Sequence, residues 1–158
     1  MGKIIILDET TRNPITLMGK RAGVCWGGDV QNQDKNYARG LDCLKSNHGR
    51  VLEYVNIETI IQGYSARVIR EWYTHIGGAP SRLQASTRYI DYSDFMCVVP
   101  DSVKLNKEAL GIYERCLKEI RKSVAMLASD CKIPREDIAL LLPLGMETTI
   151  VDRRNLRN

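Results

Sequence analysis

Several residue types are scarce in this chain, and each scarcity closes a route. Its 158 residues include two histidines, and neither His48 nor His75 lies near a pair of cysteines. That rules against a zinc site, and no metal is expected. The five cysteines, Cys25, Cys43, Cys97, Cys116 and Cys131, are odd in number and form no C-x-x-C pair. They are expected to be reduced thiols, mostly buried, in a cytoplasmic protein. One Phe and scattered Tyr give no stacking platform for single-stranded nucleic acid. No apolar run approaches the roughly 18 residues of a membrane helix, and the opening MGKIIILDET lacks the apolar core and small-residue cleavage site of a signal peptide. No repeat, low-complexity tract or linker interrupts the chain. The net charge of +4 is mild, compatible with a phosphorylated ligand and weak as a sign of nucleic acid.

What remains describes an ordinary globular chain. A hydrophobic fraction of 44% and a charged fraction of 27% suit one domain, 1–158, with a moderate core. Three consecutive Ile predict a strand over 3–8. Residues 13–33, with Pro14 and several Gly, read as irregular. Tyr37, Ala38, Leu41 and Leu44 give helical spacing over 34–46. Alternation predicts a strand over 55–61, and Ser65 is a plausible N-cap for a helix over 66–75. A strand is read over 95–99. The clearest helix spans about 106–131, where Ala109, Ile112, Cys116, Ile120, Val124 and Leu127 form a stripe expected to be buried. Pro134 opens a second helix ended by Pro143 and Gly145. A strand follows over 146–151, then the start of a helix over 153–158. A helix of one turn is unstable alone, so either this tail docks firmly on something or the chain lacks a C-terminal portion that the architecture expects.

Residues 71–92, EWYTHIGGAPSRLQASTRYIDY, are the most informative stretch. A helix ends there at Gly77-Gly78 and Pro80, and Ser81, Arg82, Gln84, Ser86, Thr87 and Arg88 follow within eight positions. Such a run of donors after a helix end suits an anion with several oxygens. A plain polar surface loop is the alternative.

These residues resemble a known signature. In flavin-dependent thymidylate synthases of the ThyX type it has the form R-H-R-x-x-S-x-N-x-x-S-x-R-Y. His75 matches its His, and Ser81, Ser86, Arg88 and Tyr89 match its latter half, with Leu83 at the Asn and two extra residues between the halves. Trp72 matches the Trp that precedes it. Upstream, His48 and Glu53 match a G-H-x-S-x-x-E-H element, and 21–26 resembles an R-V-S-Y stretch. Downstream, Pro134-Arg135-Glu136, Leu142-Pro143 and Asn155-Leu156-Arg157 keep the order P-R-E, L-P, N-x-R.

The resemblance implies an α+β fold, a mainly antiparallel sheet packed with helices including the long amphipathic one. It implies a homotetramer with active sites at subunit junctions. The implied reaction methylates dUMP to dTMP, with methylenetetrahydrofolate as carbon donor, FAD as cofactor and NADPH as reductant. For dUMP it implies Glu71, Thr74, Ser81, Gln84, Ala85, Ser86, Thr87 and Arg88, with Arg88 on the phosphate. For FAD it implies Arg50, Glu53, Thr74, His75, Ile76, Asn155 and Arg157. No catalytic side chain is assigned, because the family's pyrimidine-activating Arg falls beyond Asn158, and so does a further flavin-binding Asn.

Departures mark this chain. Thr74 and Ile76 replace the two Arg that flank the His. Glu71 stands at a Gln. Ala139 stands at an Arg, and Arg70 and Arg82 are the candidates to compensate. Other roles stay open: His75 as a helix cap, His48 as a turn residue, Trp72 as packing, and Arg153, Arg154 and Arg157 as a solvated turn. The chain as a whole could also be a non-catalytic nucleotide- or FAD-binding relative, or a small RNA-binding module.

Overall fold

A computed structural model describes residues 2–75 and 81–158. Four strands, β1 (Lys3–Ile6), β2 (Asn56–Ser65), β3 (Ser81–Gln84) and β4 (Glu147–Asn155), form one antiparallel sheet in the order β1-β2-β4-β3. With the helices this is the expected α+β class. The chain forms two compact units, and β2 and β4 contribute residues to both. Along β4, Thr148, Ile150 and Asp152 are buried on one face, while Thr149 and Arg153 are exposed on the other. Arg154 joins the inner face and pairs with the Asp152 carboxylate at 2.5 Å.

The helix-pair unit comprises, among the described residues, Ile4–Ile60, 81–83 and Val151–Asn158. Its core is α1 (Pro14–Cys25) packed on α2 (Gln33–Lys45). The irregular reading of 13–33 is therefore corrected for its first half. Glycine lowers helix propensity, but here it serves the contact. A Cβ on Gly19 would lie 1.8 Å from the Asn36 carbonyl oxygen, and one on Gly40 2.0 Å from that of Ile15. The two backbones thus touch, and Met18, Ala22, Cys43, Val51 and Val55 fill the space beside them. Asn36, fully buried, donates to the Val30 carbonyl at 2.9 Å and accepts from Arg39 at 2.8 Å. Asn32 caps α2 by accepting the Lys35 amide at 3.0 Å. A tight helical turn, Gly49–Tyr54, follows.

The long-helix unit comprises, among the described residues, 2–3, Ile61–His75 and Gln84–Ile150. It holds α3 (Ala66–Thr74), α4 (Asp101–Lys104), α5 (Lys107–Ser129) and α6 (Arg135–Ile138). The predicted cap is present: Ser65 Oγ accepts the Val68 amide at 3.3 Å. Ile61, Ile69 and Ile150 form one apolar cluster, and Phe95, Leu117 and Met146 another.

Other expectations need correction. The helix from Pro134 is shorter: α6 and a tight turn, Ala139–Leu141. Residues 95–99 form no strand; Cys97 makes a single bridge to Met146. Residues 153–158 do not begin a helix. β4 continues to Asn155, and the Leu156 amide donates to the Val55 carbonyl at 3.0 Å, so sheet pairing claims this backbone. On α5 the predicted stripe holds at Val124, which is buried, and at Ala109, Ile120 and Leu127, which are half-buried; Ile112 and Cys116 are exposed instead, and Leu117 is buried beside the stripe. All five cysteines are free, but Cys25, Cys116 and Cys131 are exposed and only Cys43 is buried, against the expectation of mostly buried thiols. Among the described residues no helix is long and apolar enough to cross a membrane.

Candidate functional site

Two clusters gather most of the predicted residues, one in each unit. In the long-helix unit the chain leaves β3 through Ala85, whose amide donates to the Thr149 carbonyl at 2.8 Å. The Gln84 side-chain amide donates to Thr148 Oγ1 at 3.3 Å. These bonds anchor the run to β4 and set the start of a turn. Within the turn the Ser86 carbonyl accepts the Ile90 amide at 3.1 Å, and Ser86 Oγ accepts the Arg88 amide at 3.2 Å. The Arg88 side chain is exposed, with its guanidinium 5.9 Å from the Tyr89 ring centre. The expected loop is thus part strand, Ser81 through Gln84, and part turn.

Thr87 and Arg135 line a cavity of about 210 Å³ together with Asp91, Tyr92, Ile138 and Ala139. Arg135 Nη1 donates to the Tyr89 carbonyl at 2.8 Å, tying α6 to the turn. The Ser93 amide and hydroxyl hold the Asp91 carboxyl below its ordinary range, and Arg135 adds to that. Burial pushes the Tyr92 hydroxyl up, so it stays a proton donor at neutral pH.

On α3, Glu71 and His75 face each other, with Nε2 to Oε2 at 3.3 Å, and the Thr74 hydroxyl donates to the Arg70 carbonyl at 2.9 Å. His75 follows Thr74 at the helix end, as expected. Ile76, and with it the Gly-Gly-Ala-Pro stretch 77–80, lies outside the described residues.

In the helix-pair unit, positions about a hundred residues apart in sequence meet. Glu53 accepts from Arg50 Nη1 at 3.1 Å and from Arg157 Nη1 at 2.6 Å. Asn155 Oδ1 accepts the Arg157 amide at 3.0 Å. Arg50 first, and Arg157 after it, hold the Glu53 carboxyl below its ordinary value. The four described flavin positions of this unit, Arg50, Glu53, Asn155 and Arg157, therefore converge. Two guanidinia against one carboxylate leave a single net positive charge, and each guanidinium carries five N–H donors. Aromatic faces lie in the same unit: Trp26 and His48 with ring centres 6.1 Å apart, and Tyr54 under Arg21 at 5.5 Å. This donor set fits a diphosphate joined to flat rings.

Sequence reasoning gave Arg135 no role beyond its place in P-R-E. Its four-residue spacing to Ala139 was the available signal, since that spacing puts both on one wall.

Comparison with known proteins agrees with this architecture. A family model described as "Thymidylate synthase complementing protein" matches residues 6–158. A flavin-dependent thymidylate synthase of Nitratidesulfovibrio vulgaris is 27% identical over 137 residues, 82% of this chain and 55% of the relative. The chain thus spans about half the length of that curated relative. Among solved structures, thymidylate synthase X from Helicobacter pylori with FAD and dUMP has a TM-score of 0.68 at 18% identity, covering 99% of this chain and 79% of that one. The UMP/dUMP methylase PolB from Streptomyces cacaoi, bound with 5-Br dUMP, has a TM-score of 0.71 at 16% identity, covering 98% and 73%. Both have the same fold as this chain, and the family match covers all but its first few residues. The chain belongs to the thymidylate synthase complementing protein family.

Proposed function

We propose that this chain carries the nucleotide- and flavin-binding core of a flavin-dependent thymidylate synthase, as a single domain, and methylates dUMP to dTMP. The observation that carries this reading is the Ser86–Arg88 turn. It places two hydroxyl-bearing residues and a guanidinium in succession beside a cavity, in a chain of this family. Arg88 grips the nucleotide phosphate through paired charge-assisted hydrogen bonds. Ser86 adds its O–H, whose oxygen already accepts the Arg88 amide and so keeps the loop in shape. Thr87, Gln84 and Ala85 complete the run, with Ser81 on β3 and with Glu71 and Thr74 on α3 as further dUMP positions.

Arg50, Glu53, Asn155 and Arg157 hold FAD, with His75, Thr74 and Ile76 as further positions. When bound, the flavin supplies the hydride that reduces the transferred carbon. The protein residues orient the ligands and neutralise their charge. NADPH and methylenetetrahydrofolate are the co-substrates.

We read the working form as a homotetramer. Exposed apolar side chains such as Ile6, Trp26 and Leu83 support this. Five free thiols support a cytoplasmic location.

Thr74 and Ala139, at positions where the resembled family carries Arg, favour a second reading: binding of nucleotide and flavin without turnover. Tritium release from C5-labelled dUMP, with NADPH and methylenetetrahydrofolate, separates the two. The shared reading predicts flavin absorbance in the purified protein. It also predicts that Arg88→Ala weakens dUMP binding about 10- to 100-fold while hardly changing deoxyuridine binding, because a lost contact to a charged group costs about 1.5–3 kcal/mol. Equal losses for both ligands reject the phosphate role.

A further inference from the structure

We propose that Arg135 reads the phosphate of the nucleotide held at the Ser86–Arg88 turn, and so sets a preference for nucleotide over nucleoside. The inference rests on the function proposed above. Its ground is the cavity beside that turn. Thr87 lines one side of it, and Arg135 is the cationic side chain of the lining. The Tyr89 carbonyl takes Arg135 Nη1 at 2.8 Å, which holds the guanidinium beside the residue that follows Arg88. A guanidinium has five N–H donors in a rigid fork, so one carbonyl does not exhaust it. Fixing the fork in advance lowers the entropy lost on binding an anion.

The rest of the lining narrows the position. Ala139 lies on the same wall and carries no donor. Ile138 and Val124 are apolar and buried. Asp91 is the opposing charge, and its carboxylate accepts the Ser93 amide at 2.9 Å. A phosphate deep in the cavity would meet that carboxylate and the apolar wall. The favourable place is on the turn side, between Arg88, Thr87 and Arg135. Arg135 then acts as a second cation for a doubly charged group, on a wall where Ala139 supplies none.

Equilibrium binding of dUMP and of deoxyuridine to the full chain tests this. The proteins are wild type, Arg135→Gln, Arg135→Ala and Arg135→Ala combined with Ala139→Arg. Gln keeps an N–H donor and most of the side-chain bulk but is two bonds shorter than Arg, so deoxyuridine binding reports whether the turn is kept when the charge is removed. The expected result for Arg135→Gln is about a 10- to 100-fold weaker dUMP complex and less than about a twofold change for deoxyuridine. Its dUMP affinity should also depend less steeply on salt. Ala139→Arg, one helical turn along the same wall, should restore at least about tenfold of the dUMP affinity lost in Arg135→Ala. Wild-type selectivity and salt dependence in Arg135→Gln would overturn the proposal, and so would an equal weakening of both ligands. If Arg88→Ala loses phosphate selectivity and Arg135→Gln does not, only the role of Arg135 falls. A wild-type chain that binds no dUMP removes the nucleotide reading, and this inference with it.

Discussion

In the helix-pair unit, α1 and α2 meet backbone to backbone at Gly19 and Gly40. In the long-helix unit, the turn that carries Ser86, Thr87 and Arg88 is held by a few hydrogen bonds to β4, to itself and to Arg135. The first contact leaves no room for a methyl group. The second leaves Arg88 exposed and a cavity beside it. Close packing makes a scaffold intolerant of change, whereas a sparsely bonded turn can present side chains to a ligand. Damage to the first should therefore appear as lost stability, and damage to the second as lost binding.

The largest expected effect on stability breaks the helix contact. Gly19→Ala places a Cβ 1.8 Å from a backbone oxygen that cannot swing away, so the helices must separate. Overpacking of this kind costs about 1–3 kcal/mol, and a backbone clash belongs at the top of that range. A urea titration should show the unfolding free energy fall by that amount, seen as a lower midpoint at unchanged slope. An unchanged midpoint would mean the two backbones do not touch at Gly19. Ser65→Ala comes next. It removes the acceptor of the Val68 amide and should cost about 1 kcal/mol without altering the α2 cap at Asn32.

The smallest effect concerns pH. The Glu53 carboxyl lies below its ordinary value of 4.5 because Arg50 and then Arg157 bond it. The folded chain therefore binds fewer protons there than the unfolded chain. This contribution is fully present above about pH 4.5 and is lost as pH falls through the depressed folded value. Glu53→Gln should flatten that part of the acid limb of a stability–pH curve. It should leave the part due to Asp91, depressed from 3.8 chiefly by Ser93, in place. An unaltered acid limb in Glu53→Gln would mean the three-residue cluster does not persist in solution.

Legibility in the sequence followed the range of the forces involved. Local signals held: the existence of α2, the Ser65 cap and the extent of α5 all answer to neighbours within a turn or two. Readings failed where distant backbone decided. Gly19 and Gly23 argued against a helix over 14–25, yet Gly19 is there because another helix needs the space. Residues 153–155 carry two Arg and an Asn with no strand pattern, and pairing across the sheet overrides their local preference. The site divides the same way. Ser86, Thr87 and Arg88 are contiguous and could be read together. Arg50, Glu53 and Arg157 came together only through resemblance to a signature, because no local rule links residues 104 positions apart. The Arg135 contact to Tyr89 spans 46 positions, and no local rule links the two.

The ion pair of Asp152 and Arg154 bears on how the sheet assembles. Both groups face inward along β4, Asp152 almost fully buried, while the flanking Arg153 faces out. Sliding this strand by one position would expel Asp152 and drive Arg153 into the apolar interior, stranding a lone cation there. The pair is therefore expected to act as a key for one strand alignment, raising the cost of misaligned pairings.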